Sequence, residues 1–265
     1  MNIDEKYAAL RARISGYDQL LVAYSGGIDS TLVLKVAHDE LGQRAKGVTA
    51  DSPSVPRREI YEAKRIATAI GAQHSVMRTE EIDDPSYARN PINRCYYCKH
   101  ELYTRLIDIA RIESFKHIAN GTNIDDLGDY RPGLQAADEF KVVSPLKDAG
   151  LSKADVREIA QMLRLETWDK PASPCLSSRI PYGQAVTRGK LAMVEAAEEF
   201  LRGLDIRELR VRHLGSNARI ETRPDDFVVL QQYDESIRKR FREIGFSQFE
   251  VAEFKSGALN VAIKR

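Results

Sequence analysis

The sequence predicts an α/β fold, a parallel sheet flanked by helices and followed by a smaller C-terminal α/β domain. Three observations carry that prediction. Apolar runs alternate with stretches of helical spacing over the first two-thirds of the chain, the pattern of a parallel sheet covered on both faces. The stretch "DKPASPCLSSRIPYG" (169–183) then interrupts the rhythm with three prolines and three serines, which exclude a regular element. Beyond it a shorter alternation resumes. The expected domains are therefore 1–183 and 184–265.

The elements follow in order. "LLVAY" (20–24) reads as a strand, and "STLVLKVAHDEL" (30–41) as a helix closed by Gly42. "AKGVTA" (45–50) is a second strand. In "PRREIYEAKRIATAIG" (56–71) Pro56 opens a helix, Ile60, Ala63, Ala67 and Ile70 line one face, and Gly71 stops it. "HSVMR" (74–78) is a third strand, "HELYTRLIDIARI" (100–112) a helix on Leu102, Leu106 and Ile109, and "KHIANGT" (116–122) a fourth strand. "SKADVREIAQML" (152–163) opens with a capping-box pattern, Ser152 with Asp155. The C-terminal part reads helix 187–202, strands 205–212 and 217–223, helix 226–244 and strand 248–255.

Composition narrows the function. Hydrophobic residues at 43% support a buried core. No run approaches the ~18 apolar residues that span a bilayer, and "MNIDEKYAALRARI" has no apolar signal core, so a cytoplasmic protein without membrane contact is expected. The 40 basic and 39 acidic residues nearly cancel, which argues against a dedicated nucleic-acid binder. Three cysteines, an odd number, point to metal or catalytic thiols and not to a disulfide framework.

The turn "AYSGGIDSTL" (23–32) links the first strand to the first helix. Unpaired N–H groups and the helix dipole make such a junction an anion site. Gly26 and Gly27 let the backbone approach a ligand, and Ser25 and Ser30 add hydroxyls. Asp29 would repel a bare phosphate, which points to a bound Mg²⁺ or a charge-organising role. No lysine follows the glycines, so this is not the GxxxxGK[ST] P-loop. An ordinary strand-to-helix turn is the alternative. "NGTNIDDLGDYRPG" (120–133) leaves the fourth strand at the edge where open α/β sheets bind ligands. Gly121, Thr122, Asn123, Asp126 and Arg131 are its candidate ligand contacts; taken alone, the stretch also fits a polar surface loop.

Cys95 and Cys98 form C-x₂-C in "NRCYYCKHELY", and Cys175 stands alone in "SPCLSSR". Cys98 lies near the start of a predicted helix, a place that favours metal binding or nucleophilic chemistry. Three readings compete: a zinc site completed by His100, a redox pair that leaves Cys175 unrelated, or a [4Fe–4S] cluster on three thiolates with one iron open. On "IRELRVR" (206–212) Arg210 and Arg212 share one strand face, which suits a phosphate or carboxylate or is a solvated face.

"SGGIDS" and "GTNIDD" with "RPG" resemble the PP-loop ATP pyrophosphatases, of the adenine-nucleotide alpha-hydrolase-like fold. Together with "KPASPCLSSRIPYG" they resemble the LarE family, the ATP-dependent sulfur-inserting enzymes of the nickel-pincer cofactor pathway. The resemblance covers most of the chain. It implies a PP-loop domain with a small C-terminal substrate-binding and oligomerisation domain, in a homo-oligomer. It implies that ATP adenylates a carboxylate of a pyridinium dicarboxylate mononucleotide, with Asp29 in the catalytic loop, and that sulfur displaces AMP. It implies that Arg210 and Arg212 hold the substrate phosphate, with Ser178, Arg179 and Glu221 as further candidates. Tyr96 and Tyr97 could stack on the pyridinium ring or pack in the core. The family has two sulfur sources: a sacrificed cysteine matching Cys175, or a three-cysteine [4Fe–4S] cluster recharged by sulfide or another donor. With Cys95 and Cys98 present, the cluster type is expected. A cluster-dependent tRNA thiolase and a non-catalytic adenine-nucleotide sensor are the alternatives.

Overall fold

The computed structural model describes residues 1–128 and 132–255. The chain runs α1 (Ile3–Ser15), β1 (Leu20–Ala23), α2 (Ile28–Leu41), β2 (Ala45–Asp51), α3 (Arg57–Ile70), β3 (Gln73–Arg78), α4 (Pro85–Ala88), α5 (Arg94–Ile112), β4 (His117–Ala119), α6 (Pro132–Glu139), α7 (Pro145–Asp148), α8 (Lys153–Met162), α9 (Arg188–Arg202), β5 (Leu209–Leu214), β6 (Asn217–Thr222), α10 (Phe227–Gln232), α11 (Asp234–Ile244) and β7 (Gln248–Glu253). It forms two compact units: Met1–Glu81 with Asn93–Ser173, and Ile82–Ile92 with the chain from Pro174 onward. Among the described residues no helix is long and apolar enough to cross a membrane.

The first unit holds a parallel sheet in the order β3-β2-β1-β4. β1 is central because both of its faces are apolar. Leu20 and Val22 join one core with Leu32, Val36 and Ile159, while Leu21 joins another with Tyr103, Leu106 and Ile118. Burial on both faces is what a parallel strand requires. The chain adds β2 and β3 on one side of β1, then returns to place β4 on the other. The carboxyl ends of β1 and β4 are thus neighbours at a switch point, where such sheets open a crevice.

The second unit pairs β5 antiparallel with β6, and β6 parallel with β7. A parallel pair needs a crossover, supplied by α10 and α11. Phe241, Phe246, Leu201, Val211 and Ile220 fill its core. Residues 82–92 belong here through Asn90, fully buried at φ 57°, whose side-chain amide donates to the carbonyls of Ile180, Pro181 and Gln184. The Tyr87 hydroxyl meets Ser177 Oγ at 2.6 Å.

Several boundaries differ from the sequence reading, and three of the differences bear on the site or the topology. α5 starts at Arg94, so Cys95 and Cys98 lie inside it; its first turns bury only the charged Arg94 and so show no apolar period. The expected helix 226–244 breaks at Tyr233, and α11 opens afresh on Asp234 and Glu235. β5 begins at Leu209, since Asp205 sits at φ 67°, outside extended backbone.

The capping box of α8 forms as its sequence predicts: Asp155 N–H donates to Ser152 Oγ at 3.2 Å, and Ser152 N–H donates to Asp155 at 2.8 Å. Burial pushes the Asp155 carboxyl up, but Lys6 and Ser152 outweigh it and lower it from 3.8 to about 2. We expect Ser152→Ala to cost about 1 kcal/mol by urea denaturation at neutral pH. Because the folded value is depressed, the Asp155 contribution is complete above the ordinary value and vanishes as pH falls from 3.8 toward 2. A Ser152→Ala penalty that is absent at neutral pH would contradict this.

Candidate functional site

The turn after β1 is held by its own hydroxyls. Ser25 N–H donates to Ser30 Oγ at 3.1 Å, the two serine hydroxyls lie 3.1 Å apart, Ser30 Oγ donates to the Gly27 carbonyl, and Gly27 N–H reaches Ser25 Oγ at 3.3 Å. Gly27 is the N-cap of α2 and no side chain caps it. The helix therefore presents unpaired N–H groups at the sheet edge.

Two glycines here are sterically required. Gly26 stands at φ 71°, and a Cβ on it would lie 2.9 Å from Ala63 Cβ in α3. A Cβ on Gly121, in the loop after β4, would lie 2.8 Å from Ser30 N. The two loops thus touch backbone to backbone. Gly27 is less constrained, since its Cβ would meet only Ser25 Oγ at 3.3 Å.

Asp29 joins these loops to α8. Asn123 Nδ2 donates to Asp29 Oδ1 at 3.1 Å, and Lys153 Nζ pairs with Oδ2. Asn123 is buried, its N–H donating to Asp126 at 3.1 Å and its side-chain oxygen accepting from Asp125 N–H. Thr122 N–H donates to Asn120 Oδ1, and Thr122 O accepts from Lys147 N–H. Arg131 lies outside the described residues. Nearby, at the end of β2, the buried hydroxyls of Ser52 and Ser54 donate to buried Glu81 and fix that loop.

The thiols fall in different units. Cys95 is exposed and Cys98 half-buried on the first turns of α5. Cys175, half-buried, is the N-cap of a short turn over Leu176–Arg179 in the second unit. Among the described residues no three His, Cys, Asp or Glu side chains gather as a metal-ion group. His100 packs edge-on against Phe140 at 4.9 Å. Tyr96 donates its hydroxyl to Glu139 at 2.8 Å and meets Tyr97 edge-on.

Arg179 and Arg212 of the second unit are tied into one buried network through Ser178. Arg179, 2% exposed, pairs with Glu198 at 2.8 Å and donates to Pro174 O, Cys175 O and Ser178 Oγ. Arg212 pairs with Glu221 at 2.7 Å and donates to Ser178 O at 2.7 Å. Arg210 is half-buried, stacks over Phe254 at 4.3 Å and makes no salt bridge among the described residues. Burial first, then Arg179 and Arg212, push its guanidinium below the usual value. Arg202 also reaches Glu198, at 3.6 Å, so two carboxylates face four guanidiniums and positive charge is left over for an anionic ligand.

The sequence reading did not single out Lys153, Glu198 or Lys170. Lys153 had a signal: a cation at the first position of a helix opposes the dipole and calls for a partner. Glu198 had none, because helical spacing alone does not show that a buried carboxylate faces Arg179.

The model of the asparagine synthase family matches residues 7–118. An uncharacterized protein of Synechocystis is 43% identical over 97% of this chain and 98% of its own length. The pyridinium-3,5-bisthiocarboxylic acid mononucleotide synthase of Lactiplantibacillus plantarum is 37% identical over 96% of this chain and 94% of its own length. A tRNA-specific 2-thiouridylase of Anaplasma marginale is 31% identical, but over 58% of this chain and 49% of its own length. The sheet order, the turn on β1 and these matches define a PP-loop ATP pyrophosphatase fold. Within that class, the chain belongs to the LarE family.

The close approaches give a prediction. Gly26→Ala should weaken binding of a non-hydrolysable ATP analogue at least tenfold, since it adds a backbone clash to a left-handed strain of about 1–2 kcal/mol. Gly71→Ala is the control: its φ is 80°, but its Cβ meets only His38 at an ordinary 3.5 Å. It should lose a similar stability and keep nucleotide affinity, as calorimetric titration would read. Equal affinity in the two variants would contradict the assignment.

Proposed function

We propose that this protein is an ATP-dependent sulfur transferase that converts a carboxylate of a pyridinium dicarboxylate mononucleotide into a thiocarboxylate, in the assembly of a nickel-pincer nucleotide cofactor. The observation that carries the reading is the loop pair on β1 and β4, bridged by Asp29, Asn123 and Lys153. Family membership, with a full-length relative named for such a synthase, supplies the substrate class.

The chemistry follows from charge. A substrate carboxylate attacks the α-phosphorus of ATP, the bond to the β-phosphate oxygen breaks, and an acyl adenylate forms as pyrophosphate leaves. A sulfur nucleophile then adds to the acyl carbon and AMP departs with the former carboxylate oxygen. The N–H groups at the start of α2, the hydroxyls of Ser25 and Ser30, and Lys153 receive the charge that grows on pyrophosphate. Gly121, Thr122, Asn123, Asp126 and Arg131 complete the nucleotide side. Asp29 supplies a hard oxygen ligand suited to Mg²⁺, which would neutralise phosphate charge when bound. Arg210 holds the mononucleotide phosphate with Arg212 beside it, Glu221 orienting Arg212, and Ser178 and Arg179 are further contacts of the same substrate.

For the sulfur source, we infer that Cys95, Cys98 and Cys175 carry a [4Fe–4S] cluster charged by sulfide or another donor. What supports this is that they are the chain's three thiols and that two of them sit one turn apart on α5. The domain 184–265 is assigned to substrate binding and homo-oligomer contacts, in a cytoplasmic enzyme. The partial match to a tRNA thiolase favours nucleic acid as a second reading; the near-balanced charge counts against it.

Two experiments follow. With ATP, Mg²⁺, sulfide and the carboxylated mononucleotide, the anaerobically reconstituted protein should release AMP and pyrophosphate over many turnovers and exchange oxygen for sulfur in the product by mass spectrometry. Cys95→Ala, Cys98→Ala and Cys175→Ala should each abolish the iron-dependent absorption. A nucleotide sensor would release no pyrophosphate, and a tRNA thiolase would require tRNA. One turnover per chain with dehydroalanine at position 175 in iron-free protein would reject the cluster. Separately, Arg210→Ala should weaken mononucleotide binding roughly ten- to a hundredfold, the worth of a charge-assisted contact, and leave ATP affinity within about twofold. Equal loss of both affinities would contradict the role of Arg210.

A further inference from the structure

Lys170 is the other lysine that reaches the turn on β1, and no step above uses it. Its ammonium, on a side chain 15% exposed, lies 3.2 Å from the Gly26 carbonyl, 2.9 Å from Glu59 and 3.0 Å from Glu62. Both glutamates belong to α3, the helix against which Gly26 packs through Ala63. Glu59 is buried and also accepts from Ser173 Oγ at 3.0 Å. Burial pushes the Glu59 carboxyl up, and Lys170, joined by Arg58 and Ser173, outweighs burial and holds it below the ordinary value. Glu59 therefore carries its negative charge beside a loop built for an anion.

The Gly26–Gly27 peptide is trans, so its carbonyl and its N–H point in opposite directions. Anchoring the Gly26 carbonyl on Lys170 therefore fixes the direction of Gly27 N–H. That N–H makes a long contact, 3.3 Å to Ser25 Oγ. It is a donor held ready and weakly occupied.

We propose that Lys170 is a positioning residue for the pyrophosphate site: it pins the Gly26 carbonyl against α3 so that Gly27 N–H faces the phosphates, and it shields those phosphates from Glu59 and Glu62. This rests on the PP-loop part of the proposed function and not on sulfur transfer. Lys170 need not touch the nucleotide. Its effect is confined to the phosphate end, because the groups it holds are the Gly26 carbonyl of the anion-binding turn and the two glutamates beside that turn.

The test uses inorganic pyrophosphate with Mg²⁺, and AMP, as separate calorimetric probes of the full chain. Lys170→Met should weaken pyrophosphate binding roughly ten- to a hundredfold, the worth of one charge-assisted hydrogen bond, and leave AMP binding within about twofold. Lys170→Arg keeps the charge and should recover most of the loss. Parallel loss of both ligands, or no loss of pyrophosphate, would overturn the proposal, because a merely structural lysine does not discriminate between them. If Lys170→Met does not fold, Lys170→Gln with Glu59→Gln replaces it, and the pyrophosphate-to-AMP ratio is read in the same way. A wild type that binds both probes but makes no thiocarboxylate would refute the sulfur-transfer reading, and the same ratio would still decide the role of Lys170.

Discussion

Asp29 puts a negative charge on the first turn of α2, where the backbone offers positive potential. As the proposed neighbour of pyrophosphate it needs a neutralising partner, and the fold supplies partners from two directions. Asn123 reaches it from the loop after β4, and Lys153 from the start of α8. Both members of the ion pair keep partial exposure, 24% for Asp29 and 37% for Lys153, so water screens the pair and keeps it exchangeable. On the proposed reading, this partly exposed pair opens when phosphates and Mg²⁺ arrive. The rest of the first unit follows from that need: β1 and β4 must be neighbours, Gly121 must lack a side chain, and the capping box of α8 must hold Lys153 at the helix start.

The second unit handles charge in the opposite manner. Arg179 with Glu198 and Arg212 with Glu221 are nearly fully buried. Removing either partner of such a pair would strand a buried charge at a cost of about 3–5 kcal/mol. These pairs hold the backbone around Cys175 and Ser178 in place. Arg210 is then the one guanidinium of the three with charge to spare. Arg212, which the strand alternation treats as its equal, is largely committed to structure.

Much of this was legible in the sequence because local chemistry coincides with global arrangement there. "SGGIDS" after an apolar run carries its own meaning, and Ser152 with Asp155 forms the cap its spacing predicts. The start of α5 was not legible, because "RCYYCK" buries one charged residue where a helical period needs apolar ones. The break at Tyr233 was hidden for the converse reason: apolar spacing continues across it although the backbone does not. The lysines at 153 and 170 were missed since a long flexible cation shows no period, and their roles come from partners more than a hundred residues away. Arg212 was read correctly as to face and incompletely as to partner, since its register opposite β6 is a tertiary fact.

The central claim is that ATP is cleaved at its α-phosphorus by the substrate's own carboxylate. Its most direct test is isotopic. The mononucleotide is prepared with heavy oxygen in its carboxylates and allowed one round of reaction with ATP, Mg²⁺ and the sulfur-loaded protein. The account predicts one heavy oxygen in the phosphate of the released AMP and none in pyrophosphate. Heavy oxygen found in inorganic phosphate, or AMP without the label, would contradict it.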